Sequence, residues 1–112
     1  MQIDQLNILA LGRNPEIMVV MNRLLNTPAG WHGVTVHTPE EALTAFSKTA
    51  FHIVLLCAGI SPEEEAGLTT LLLQLNPSVI IRRHYGGGSG LLKNEIQYVL
   101  DRENIQLAAS PN

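Results

Sequence analysis

Charge is scarce in this chain. Only 15% of its 112 residues are charged, against 46% hydrophobic. That balance excludes a disordered polyampholyte and predicts a globular fold with room for apolar surface, a composition that favours self-association. The seven Lys and Arg residues form no basic run and the formal net charge is −3, so no nucleic-acid footprint is expected. Cys57 is the single cysteine, which excludes an internal disulfide and fits a reducing compartment. No run approaches the ~18 apolar residues of a membrane span. Met1 to Leu11 has no cationic stretch ahead of an apolar one, so no secretory signal is expected. The expectation is a soluble, cytoplasmic protein of one domain, burying roughly two-thirds of its unfolded surface.

What the chain does have is a repeated start signal. Asn14-Pro15-Glu16, Thr38-Pro39-Glu40 and Ser61-Pro62-Glu63 share one logic. The first residue can cap a helix, proline suits the first helical position, and glutamate is favoured by the helix dipole. Thr38 with Glu41, and Ser61 with Glu64, also have capping-box spacing. Six of the ten acidic residues fall in these first turns, so they are read as starting helices rather than binding metal.

A short apolar segment precedes each start: Ile8 to Leu11, Val34 to Val36, and Ile53 to Cys57. A fourth, Val79 to Ile81, follows the third helix. Continuous apolar runs of this length predict strands buried on both faces of a parallel sheet. Helical spacing gives four core stripes. They are Ile17, Met21, Leu24, Leu25; then Ala42, Ala45, Phe46; then Leu68, Leu71, Leu72, Leu75; and finally Leu92, Ile96, Val99, Leu100. Strands alternating with helices predict right-handed βαβ units. The domain is expected over residues 1–103, with a flexible tail over 104–112.

This order, with Asn7-Ile8-Leu9-Ala10-Leu11, Thr38-Pro39-Glu40-Glu41-Ala42-Leu43, Phe51 to Leu56 and Asn76 to Ile81, resembles the response-regulator receiver (CheY-like, flavodoxin-like) family over residues 6–101. The resemblance implies a three-layer α/β fold and a phosphoryl-accepting site. That chemistry needs an acidic pair after the first strand, an aspartate ending the third, a Ser or Thr ending the fourth and a Lys ending the fifth. Here the acidic pair falls on Gly12 and Arg13, the phosphoacceptor on Cys57, and the Ser/Thr near Arg82 or Arg83. Magnesium wants hard carboxylate oxygens, which these residues do not offer. The expectation is therefore a pseudo-receiver, not phosphorylated at the usual site and not an enzyme.

The chain is also one βα unit short, which predicts four strands in the order 2-1-3-4. The fourth strand then becomes an edge, apolar on both faces at Val79, Ile80 and Ile81. An uncovered apolar edge invites another chain. The leading expectation is thus a protein-interaction module in signalling, homodimeric through that edge, with a further partner unknown.

A second candidate lies between the last strand and helix, in Arg82 to Gly90. Gly86, Gly87, Gly88 and Ser89 could offer backbone N–H groups to an anion, with Arg13, Arg82, Arg83 and His84 as cations. This would make a small anion- or nucleotide-binding protein; the alternative is a permissive connection bridging the lost unit, or a dimer hinge. Neither the dinucleotide fingerprint nor the P-loop pattern is met, since Leu91 stands where a glycine is needed. Cys57 reads as a small buried apolar residue or, beside Arg13 or Arg83, a redox thiol of lowered pKa. His32, His37, His52 and His84 lack metal-ligand spacing, and no nucleophile–base pair is visible. No cofactor or metal is expected.

Overall fold

A computed structural model describes residues 2–84 and 89–107. The elements are β1 (Gln2–Ile3), β2 (Leu6–Leu11), α1 (Pro15–Leu25), β3 (Trp31–Val36), α2 (Pro39–Lys48), β4 (Ile53–Leu56), α3 (Pro62–Leu75), β5 (Ile80–Arg83), α4 (Ser89–Arg102) and β6 (Gln106–Leu107). The three start signals act as their chemistry predicts. Asn14 accepts a hydrogen bond from the Ile17 N–H, while Thr38 and Ser61 form full capping boxes with Glu41 and Glu64. Each of these helices has its proline in the first turn, where no backbone donor is lost.

The main sheet has four parallel strands in the order β3-β2-β4-β5. This is the 2-1-3-4 order expected of the four apolar segments. β2 and β4 lie in the centre, and their residues are buried on both faces except for half-buried Asn7. Alternation along the strands sends Ile8, Ala10, Ile53, Leu55 and Cys57 to one face, against Met18, Met21 and Leu25 of α1 and Leu92, Ile96, Val99 and Leu100 of α4. Leu9, Leu11, Val54 and Leu56 face the other way, against Ala42 and Phe46 of α2 and Leu68 and Leu72 of α3. Each such leucine or isoleucine contributes on the order of 1.5–3 kcal/mol relative to exposure.

Three expectations change. In α1, Met18 takes a core position, while Ile17 remains 44% exposed. In α3, Leu68 and Leu72 are core, but Leu71 and Leu75 are 44% and 60% exposed, so that helix carries a narrower seam than its leucines suggest. The expected tail begins with ordered chain. Ile105 is buried against the α1/α4 layer, and Gln106 and Leu107 pair in parallel with Gln2 and Ile3 as a small second sheet. Residues 108–112 lie outside the described residues. Trp31, at the start of β3, packs on the same layer together with Ile3 and Leu107, as local packing.

Among the described residues β5 pairs with β4 alone. Val79 is buried, Ile80 packs on the α1/α4 layer and Ile81 on the α2/α3 layer, all four β5 residues being half-buried. The Ile80 and His84 N–H groups donate to His52 and Leu56 on the β4 side. By strand alternation, Ile81 and Arg83 therefore aim their amide and carbonyl groups away from the sheet.

Candidate functional site

The carboxyl ends of β2, β4 and β5 form one rim, where doubly wound sheets hold their ligands. Three backbone bonds shape it. Gly12 N–H donates to Val36 O at 3.1 Å, Arg13 N–H to Ala58 O at 3.1 Å, and Cys57 N–H to Leu11 O at 2.8 Å. Two glycines permit the close approach. A Cβ on Gly12 would stand 2.6 Å from Met18 Sδ and 3.0 Å from Cys57 Cβ. Gly59, at φ +92°, would put one 2.6 Å from Arg13 Cβ. The position where the receiver resemblance implies an acid thus has no room for a side chain without moving Met18.

The arginines are engaged within the chain. Arg13 donates from Nε to His37 O at 2.9 Å and from its terminal nitrogen to Glu64. Arg83 donates from Nε to Glu65 Oε1 at 2.9 Å, and from its terminal nitrogen to Ile60 O at 3.1 Å and to Glu65. Two acids expected only to start a helix therefore also close two arginines onto α3. The Glu64 carboxyl is held below its usual range, first by the backbone hydrogen bond at Ser61 and then by Arg13.

The cations expected to share one pocket are divided by the sheet. Arg13 and Arg83 turn to the α2/α3 side. Arg82 alternates with Ile80 and so faces the α1/α4 side, as does His84. Arg82 makes no ion pair among the described residues. Gly86, Gly87 and Gly88 lie outside the described residues, and Ser89 is the first residue of α4.

His84 is the one buried polar or charged residue among those described, 7% exposed. Its Nδ1 lies 3.1 Å from Glu95 Oε2 on α4, and the other Glu95 oxygen is buried without a partner. Sequence reasoning missed Glu95. A signal was present, because Glu95 stands three residues after Leu92 and four before Val99, on the flank of the α4 core stripe. An acid there must find a buried partner or turn outward.

Cys57 is buried beside this pair. Burial pushes its thiol up from an ordinary value near 9.0 to about 11; Glu95 adds to the rise and Arg83 opposes it. The redox reading required the opposite direction, and burial outweighs the arginine. His52 has its pKa lowered by burial, with Nδ1 accepting from the Asn7 N–H at 3.1 Å. His37 lies 4.0 Å from Glu41. Among the described residues no group of three His, Cys, Asp or Glu is gathered as a metal would need, and no helix is long and apolar enough to cross a membrane.

No family model matches the chain, and no curated protein matches it.

Proposed function

We propose that this chain is a non-catalytic, receiver-like interaction module that pairs with a second copy of itself through the β5 edge. The observation that carries the reading is the sheet itself: four parallel strands in the order β3-β2-β4-β5, with β5 an edge among the described residues. That order, with two helices on each face, is compatible with a flavodoxin-like class, to which receivers belong. The residues in the receiver's acidic positions are Gly12, Arg13 and buried Cys57. Arg13 and Arg83 close onto Glu64 and Glu65, and among the described residues no group of carboxylates is gathered as Mg²⁺ would need.

The edge supports self-pairing in backbone terms. Ile81 and Arg83 present outward donors and acceptors, enough for a short ladder with a symmetry-related strand. Intact-mass measurement after incubation with acetyl phosphate and Mg²⁺ tests the non-catalytic half: no phosphoryl adduct is expected, and a stable adduct overturns it. Solution mass tests the pairing half. A second reading, anion binding beside Arg82, draws support from that arginine having no ion-pair partner among the described residues. A phosphate or nucleotide at 100 times its Kd would raise stability by about 2.7 kcal/mol, and no thermal shift would reject it.

A further inference from the structure

On the α1/α4 side of the rim the two helices leave a cavity of about 520 Å³. That volume falls in the range of about 300–1,000 Å³ typical of small-molecule sites. Its walls are aliphatic: Ile17, Val20, Met21 and Leu24 from α1, and Leu92 from α4. Ile17 and Val20 remain 44% and 43% exposed although they lie on the side of α1 that lines this cavity, so apolar surface is left unfilled between two helices of one layer.

The floor is polar and built. Cys57 and His84 both line the cavity. Leu56 pairs with Arg83 in register and the His84 N–H donates to Leu56 O at 2.9 Å, so the two floor residues follow on adjacent strands, about 5 Å apart in backbone, on the same face. His84 is more than nine-tenths buried, and Glu95 fixes its ring through Nδ1. In the neutral tautomer whose Nδ1–H donates to that carboxylate, Nε2 carries a lone pair and is an acceptor. Glu16 places a second carboxylate at the cavity wall. Arg83 also borders the cavity, but its guanidinium is turned to the α2/α3 side and closed onto Glu65. The Cys57 thiol stays protonated, so the floor carries no thiolate.

From this we propose that the α1/α4 cavity binds a small, mainly apolar molecule carrying one hydrogen-bond donor, a hydroxyl or an amine, which docks on His84 Nε2 with its hydrocarbon body against α1 and Leu92. A ligand with a carboxylate head is disfavoured, since it would face Glu16 and an acceptor nitrogen. The site is independent of β5 pairing and of any anion at Arg82.

Two-dimensional ¹H–¹⁵N NMR titration of the whole chain tests it with four probes of similar shape: cyclohexanol, cyclohexylamine, methylcyclohexane and cyclohexanecarboxylate. Saturable shifts confined to α1, the start of α4 and residues 57–58 are expected for the alcohol or the amine, the difference between those two identifying the head group. The donor-bearing probe should bind about tenfold more tightly than methylcyclohexane. Val20→Trp, which fills the cavity from a half-exposed position, should abolish the shifts while leaving the circular dichroism unchanged. His84→Leu should erase the preference for the donor. No saturable shift from any probe, equal affinity for the hydrocarbon, a preference for the carboxylate, or binding unchanged in folded Val20→Trp would each overturn the proposal.

Discussion

Raising the pH above 9 should destabilise this protein through one buried thiol. Cys57 follows β4 and is buried, and burial, with the Glu95 charge adding to it, raises its pKa to about 11 against an ordinary 9.0. In the unfolded chain the thiol loses its proton near 9.0, whereas the folded protein keeps it until about 11. Across that window the unfolded state binds fewer protons, so stability falls as pH rises and is fully present below 9. Each unit of difference is about 1.4 kcal/mol, so the loss approaches roughly 3 kcal/mol by pH 11. That is a large share of the ~5–15 kcal/mol that holds a domain of this size together. The same shift makes the reactive thiolate about 100-fold rarer at neutral pH than in a free thiol. The assay is urea unfolding of wild type and Cys57→Ala from pH 8 to 10.5. Other titrating groups affect both proteins, so the difference between the curves isolates Cys57. Wild type should lose stability faster than the variant as pH rises. Iodoacetamide should label the folded thiol at pH 8 about two orders of magnitude more slowly than the urea-unfolded one. Parallel pH curves, or folded-state labelling as fast as unfolded, would refute the account and restore the redox reading of this position.

His52 works at the other end of the pH scale. Its folded pKa is depressed by burial, so stability is full above about 6.5 and is lost as pH falls through the lowered folded value; His52→Gln should flatten that slope in denaturation between pH 7 and 5. Ser61→Ala should cost about 1 kcal/mol in the same measurement, because it removes one half of the α3 capping box, and a null effect would deny the box its role. Acetyl phosphate with Mg²⁺ should leave the intact mass unchanged; a phosphoryl adduct on any rim residue would reinstate phosphoryl chemistry.

Legibility in the sequence followed locality. Asn14, Thr38 and Ser61 announce helix starts because a cap involves only residues three apart, and all three form as read. The parallel order was also accessible, since short crossovers and doubly apolar segments leave few alternatives. What depended on tertiary register was not accessible. Leu71 and Leu75 repeat at helical spacing with Leu68 and Leu72, yet α3 meets the sheet along too narrow a strip to bury all four. Two-residue strands such as β1 and β6 have no periodicity to detect, so Ile105 and Leu107 passed for tail. At the rim, the cations were placed correctly at the strand ends, but strand alternation splits them between faces, and Glu64 and Glu65 close two of them. Glu95 escaped notice because its partner, His84, is eleven residues away on another element.

The reading as a paired scaffold rests most directly on what covers β5. The Ile81 N–H points away from β4, so Ile81→Pro removes an outward donor without breaking the ladder within the chain. Size-exclusion chromatography with light scattering, at micromolar concentration, compares it with wild type. Wild type should run at twice the 12.2 kDa chain mass and Ile81→Pro as a folded monomer. A wild-type mass of 12.2 kDa at every concentration, or a dimer indifferent to the proline, would contradict it.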